Sequence, residues 1–108
     1  MQAAVFSALG EPHRLQIIEL LRTSSFAVGE IAETLGLRQP QVSKHLKVLA
    51  DSGLVRVEPR ARQRIYHLQA EPFDQIARWV DSFEHLWEVR LDSLDDYLHT
   101  NPTDRSQP

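Results

Sequence analysis

"VGEIAETLGLRQPQVSKHLKVL", residues 28–49, carries two helical patterns with almost nothing between them. In the first, Ile31, Ala32 and Leu35 recur at helical spacing and Gly36 follows as the stop. Glycine closes a helix because it enters the left-handed conformation without the clash that a Cβ brings. The second pattern, from Arg38, begins after only Leu37. Pro40 falls in its first turn, where a missing N–H costs nothing, and Val42, Leu46 and Leu49 follow at i, i+4, i+7 before Gly53 ends it. A short helix, a tight turn and a second helix make a helix-turn-helix.

On the N-terminal side, "AAVFSALG" predicts a short helix with Val5, Phe6 and Leu9 on one side, closed by Gly10. "EPHRLQIIELLRTS" predicts another, with Pro12 in the first turn and Leu15, Ile18 and Leu21 apolar. On the C-terminal side the period changes from helical to alternating. "LVRVEP" and "RIYHL" each alternate, and the polar "RARQ" between them makes a β-hairpin whose turn lacks the usual Gly or Asn. A last helix then runs without a breaker over about residues 72–99, opening on Pro72. The expected class is mainly α with a β-hairpin wing (α+β), a winged helix-turn-helix occupying residues 1–99, with a polar tail over residues 100–108.

The 108 residues suit one domain, and 42% apolar with 25% charged composition is ordinary for a soluble one. The absence of cysteine excludes disulfides, thiolate metal sites and thiol redox sensing. No apolar run reaches bilayer length, and "MQAAVFSALG" lacks the basic start and long apolar core of a signal peptide, so a cytoplasmic protein without membrane partners is expected. Ser24, Ser25, Ser43 and Ser52 have no base and orienting acid at motif spacing, and no Gly-rich phosphate loop exists. Neither an enzyme nor a cofactor is expected.

Charge is the informative feature. The chain carries −3 overall, yet residues 38–64 hold seven basic and two acidic side chains, a local +5, against −2 for residues 1–37 and −6 for residues 65–108. With Val42, Leu46 and Leu49 inward, the second motif helix presents Gln39, Gln41, Ser43, Lys44, His45 and Lys47. Amides and hydroxyls near a helix start can reach base edges in the major groove while Lys holds phosphate. Arg60, Arg62 and Arg64 stand at every second position, and would form one row if strand geometry continued through the turn. A wing tip bearing Arg suits the DNA backbone or a narrow minor groove.

"ALGEPHRLQIIELL" followed by "VGEIAETLGLRQPQVSKHLKVLADSGLVRVEPRARQRIYHL" resembles the ArsR-type family of bacterial winged-helix repressors, over about residues 3–98, with "VSKHLKVLADSGLV" the most specific portion. The resemblance implies a homodimeric repressor of transcription, and many members release DNA when a metal or other effector binds. It places DNA contacts at Gln39, Gln41, Ser43, Lys44, His45 and Lys47 of the helix and at Arg60, Arg62 and Arg64 of the wing. Two departures stand out. Where relatives carry Ser or Thr as helix caps, this chain has Ala27 and Arg38, and the wing turn lacks the Gly common among them. A missing cap costs about 1 kcal/mol, and Arg38 is expected to compensate by reaching phosphate.

An ideal helix over the last segment is roughly 40 Å long, and its apolar residues fill about half of the wheel. That surplus predicts a partner chain, with Val5, Phe6, Phe73, Ile76, Trp79, Val80, Phe83, Trp87, Leu91 and Leu94 in a dimer interface. Arg90 interrupts the apolar band. Two i, i+4 pairs on this helix, Asp81 with His85 and Asp95 with His99, are the candidate metal ligands. The Asp-x-His and His-x-x-His or His-x-x-Glu pairs of metal-sensing relatives are absent, so no metal site is expected. The reading is therefore a dimeric repressor on a palindromic operator in double-stranded DNA, its effector unknown. Its alternatives are a metal-responsive repressor using those Asp and His residues and a winged-helix module binding an acidic protein.

Overall fold

Thirteen residues from Gln39 to Asp51 form the helix on which the rest is built, with Val42, Leu46 and Leu49 each 0% exposed, as the spacing predicts. The computed structural model describes residues 3–84 together with Leu86 and Leu94. In chain order come α1 (Ala3–Leu9), α2 (Pro12–Leu21), β1 (Phe26–Ala27), α3 (Val28–Leu35), α4 (Gln39–Asp51), β2 (Val55–Arg60), β3 (Gln63–Leu68) and α5 (Ala70–Asp81). The chain divides into two compact units, Met1–Gln75 and Ile76–Pro108.

In the first unit, Ile17 of α2, Ile31 of α3 and Leu54 join the three α4 residues at the fully buried centre. Each such side chain contributes about 1.5–3 kcal/mol by leaving water. The turn between α3 and α4 is closed by Gly36 at φ +67°, whose N–H reaches the Glu33 carbonyl. The faces of the first two helices differ from the expected ones. α1 buries Val5 and Ala8 and leaves Phe6 exposed, while α2 buries Ile17, Ile18 and Leu21 and leaves Leu15 exposed. Both helices carry more apolar residues than one stripe needs, so spacing alone allowed either choice.

Local bonds tie these helices together. Glu11 caps α2, its Oε2 accepting the Arg14 N–H at 2.9 Å, and the Arg14 guanidinium donates to the Ala8 and Ser7 carbonyls at 2.7 and 3.3 Å. Those carbonyls belong to the last turn of α1, where helical partners run out, and that of Ser7 also accepts the Gly10 N–H at 3.2 Å. Glu30 reaches back to accept the Ala27 N–H at 2.8 Å, which is half of a capping box. Ala27 and Arg38 stand as the caps of α3 and α4 and make no side-chain cap bond.

The sheet has three strands rather than the two of a simple hairpin, in the order β1–β3–β2 and antiparallel throughout. β1 is only two residues, Phe26 opposite Tyr66 and Ala27 opposite Ile65, too short to show any alternation in sequence. It occupies the second edge of β3, whose backbone groups would otherwise lack ladder partners.

The wing turn is also tighter than the four-residue "RARQ" suggested. Arg60 pairs with Gln63, leaving Ala61 and Arg62 as a two-residue loop. Ala61 takes φ +54°, the pattern of a II′ turn in which the first central residue is ordinarily Gly. Because opposite residues of an antiparallel pair share a face, Arg60 sits with Gln63 on one face and Arg64 with Pro59 on the other. The single row of three guanidiniums is therefore not formed, since strand geometry stops at Arg60. Ala61→Gly should relieve the left-handed strain and raise stability by about 1 kcal/mol, read as a higher urea midpoint. A lower midpoint would show that the turn is not strained.

α5 starts at Ala70, two residues ahead of the expected position, with Pro72 its third residue. None of its residues is buried. It does not run unbroken to the tail, because Ser82 and Phe83 form a turn. The Ser82 hydroxyl donates to the Trp79 carbonyl at 2.6 Å and the Phe83 N–H to the Val80 carbonyl at 3.1 Å, so the helical i−4 bonds give way to i−3 ones. Beyond it Glu84, Leu86 and Leu94 are helical. The expectations for His85, Trp87, Arg90, Leu91, Asp95, His99 and the tail lie outside the described residues. No helix among the described residues is long and apolar enough to cross a membrane.

Candidate nucleic-acid interface

Fixing Val42, Leu46 and Leu49 inward fixes every other α4 side chain, because successive residues advance by about 100°. Gln39, Ser43, Lys44 and Lys47 are exposed, whereas Gln41 and His45 are partly covered. Gln39 and Ser43 lie on one flank of the buried stripe, Gln41 and His45 on the other, and Lys44 on the face opposite it. One flank looks toward the wing and the other toward the start of α2.

On the wing flank, Gln39 and Ser43 line a cleft of about 380 Å³ with Gly29, Arg62, Gln63 and Arg64. The tight hairpin turn brings Arg62 and Arg64 there, although they do not share a strand face with Arg60. The cations differ in what already holds them. Among the described residues, Arg38, Lys44, Arg56, Arg62 and Arg64 make no side-chain hydrogen bond or ion pair. Lys47 donates to Asp51 at 3.1 Å, an exposed pair worth at most about 1 kcal/mol. Arg60 donates to both oxygens of Glu58, at 3.2 and 3.3 Å.

Glu58 is one of the two acids in the basic block, and its neighbours neutralise it. His67 Nε2 lies 2.7 Å from its Oε1, and this bond, followed by those from Arg60, holds the carboxyl below its ordinary pKa. The positive charge presented to solvent is therefore carried by Arg38, Lys44, Arg56, Arg62 and Arg64.

On the other flank of α4 is a cluster that sequence reading passed over. His13 Nδ1 lies 3.5 Å from Glu11 Oε1, and His45 Nδ1 lies 3.8 Å from Glu11 Oε2. The two imidazoles are 5.6 Å apart, centroid to centroid, and Gln41 Nε2 stands 3.4 Å from His13 Nδ1. The Arg14 N–H above all holds the Glu11 carboxyl below its usual pKa; burial opposes it, and the charges of His45 and His13 add smaller effects in the same direction as Arg14. No spacing in the sequence signals this group, since His45 is separated from Glu11 and His13 by two helices' worth of chain. Gln41 and His45, read from sequence as DNA contacts, are engaged here. Of the expected metal ligands, only Asp81 lies among the described residues, exposed at the end of α5.

The residues expected at a dimer interface fall into three groups. Val5 is 4% exposed and belongs to the core of its own chain, which withdraws it from any free surface. Phe73, Ile76 and Phe83 are half-buried, with the Phe83 ring edge-on to Trp79 at 5.1 Å. Phe6, Trp79, Val80 and Leu94 are large apolar side chains left exposed, together with Leu86.

Comparison with known proteins agrees with this architecture. The family model described as a helix-turn-helix domain matches residues 9–58. The chain is 41% identical over 81 residues to the HTH-type transcriptional repressor SmtB of Mycobacterium tuberculosis, covering 75% of this chain and 58% of that protein. The crystal structure of the ArsR family transcriptional regulator RHA00566 superposes with a TM-score of 0.71 at 30% identity, over 80% of this chain and 89% of that one. The homodimeric winged helix-turn-helix DNA-binding domain of Mb0332 from Mycobacterium bovis does so with a TM-score of 0.64 at 29% identity, over 77% of each. The chain belongs to the ArsR family of winged helix-turn-helix transcriptional regulators.

Proposed function

We propose that this protein is a homodimeric transcriptional repressor that binds a palindromic operator in double-stranded DNA. The observation that carries the reading is the cleft where the neutral hydrogen-bonding groups of Gln39 and Ser43 meet the uncommitted guanidiniums of Arg62 and Arg64. Ser43 and Gln39 read base edges while Arg62 and Arg64 of the cleft, with Arg38 and Lys44 outside it, hold phosphate. Repression is drawn from the SmtB relative, which is named for it.

The homodimer rests on the Mycobacterium bovis neighbour and on apolar surface that one chain leaves uncovered. Trp79 and Val80 are 44% and 51% exposed on a helix with no buried residue. A separate apolar groove of about 520 Å³ runs between Leu9, Leu15, Ile18, Leu68 and Phe73. Burying such surface against a second copy places two α4 helices about a two-fold axis, as a palindrome with half-sites one helical turn apart requires.

The test separates the two flanks of α4. Ser43→Ala should weaken binding to the preferred duplex by about five- to tenfold while changing binding to random DNA little. Gln41→Ala should do less, because that amide is turned toward His13. Equal losses on both duplexes with Ser43→Ala would show that this flank does not read bases.

A further inference from the structure

We propose that Glu11, His13 and His45 form a binding site for one zinc-type divalent cation, lodged between the start of α2 and the flank of α4. The site is distinct from the Asp and His pairs considered on the last helix. Two imidazoles and one carboxylate are a borderline donor set that suits zinc, cobalt or nickel, and three protein ligands leave a fourth position for water.

The geometry supports an ion better than a hydrogen-bonded trio. One ligand atom from each of the three residues lies within 4.8 Å of the others. The contacts of 3.5 and 3.8 Å from Glu11 to the two imidazoles are too long for good hydrogen bonds. They are close to the edge of a zinc tetrahedron, which with bonds of 2.0–2.1 Å is about 3.3 Å. The two contacts go to the two oxygens of the Glu11 carboxylate, so closing the site takes a contraction of a few tenths of an ångström at each and an approach of the two imidazole nitrogens from within 4.8 Å to about 3.3 Å.

The ligands are also well supported. His45 projects from α4 beside the stripe of Val42, Leu46 and Leu49, all fully buried. Glu11 is fixed by the Arg14 N–H and remains a carboxylate. With side chains 39%, 30% and 16% exposed for His13, Glu11 and His45, an ion can enter and its water can stay.

The cation would compete for one atom. Gln41 Nε2 stands 3.4 Å from His13 Nδ1, and in the tautomer whose Nδ1 carries no proton the amide donates to the same lone pair that a metal needs. Binding an ion through it displaces Gln41 on the helix proposed to enter DNA. Ion and DNA affinities are therefore linked, and by thermodynamic reciprocity each ligand changes the other's affinity by the same factor. This coupling rests on the DNA-binding reading; ion binding itself does not.

The experiment titrates zinc into the metal-free full-length chain against a chromophoric chelator, without DNA, and repeats it with cobalt to read the ligand-field absorption. The expected result is one ion per chain, unaffected in His85→Gln/His99→Gln. Affinity should fall by roughly tenfold or more in Glu11→Gln, which keeps a cap acceptor for Arg14, and in the exposed variant His13→Gln. Circular dichroism of the metal-free variants checks that they fold. Absence of stoichiometric binding would overturn the site, as would loss only in His85→Gln/His99→Gln. A DNA titration with and without zinc then reads the linkage. A zinc-dependent change in affinity that His13→Gln abolishes supports it, and an affinity indifferent to zinc in a protein that binds one ion overturns it.

Discussion

Leu46→Ala should lower the unfolding free energy by about 3 kcal/mol, the middle of the range for emptying a well-packed leucine site. Leu46 is 0% exposed and, with Val42 and Leu49 of α4 and with Ile17 and Ile31, belongs to the fully buried centre of the unit. Truncation removes both the transfer free energy of the side chain and its packing partners, and helices held from several sides collapse poorly into the void. A domain of this size has only about 5–15 kcal/mol of stability, so the loss should be plain as a shift in the urea midpoint. The neighbouring Lys47→Ala, at an exposed position whose single ion pair is solvated, should change stability by less than about 1 kcal/mol. A Leu46→Ala loss below about 1 kcal/mol would mean that α4 does not organise the core.

The largest functional effect should come from the wing. Arg62→Ala/Arg64→Ala removes two guanidiniums per chain that make no ion pair among the described residues. If each neutralises one phosphate, the slope of log affinity against log salt should fall by about 2 per chain, near 4 for a dimer. Taken from 1 M to 0.1 M salt, that corresponds to roughly several-thousandfold weaker binding, shared by preferred and random duplexes alike because phosphate carries no sequence information. Arg60→Ala should do much less, since Arg60 is already engaged with Glu58. A double variant with an unchanged salt slope would mean that the wing stays clear of the backbone.

How far the sequence could be read follows from which interactions are local. The turn at Gly36, the Pro40 start and the i, i+4, i+7 series of α4 are decided within a few residues, and each was legible. The inward faces of α1 and α2 were not, because Phe6 and Leu15 are as apolar as the residues that pack, and only the tertiary partners choose among them. β1 escaped because two residues paired to a distant strand leave no periodic trace. In the candidate interface the residue types of α4 were legible, but their division between two flanks was not. It follows from the helical phase together with the positions of the wing and of Glu11, neither of which spacing reveals. The same holds for the wing, where a two-residue turn at Ala61 and Arg62 sends Arg60 and Arg64 to opposite faces of the hairpin. The Glu11, His13 and His45 cluster was the least visible feature, since it exists only once α2 and α4 cross.

The most direct test is a fluorescence-anisotropy titration of a labelled duplex from the region upstream of the protein's own gene. It would be run beside a scrambled duplex of the same composition at several salt concentrations. The predicted result is tighter binding of the natural duplex, with a steep salt dependence and two chains bound per site. Equal binding of the two duplexes, or an affinity indifferent to salt, would contradict it and leave the positive block of residues 38–64 serving an acidic protein partner instead.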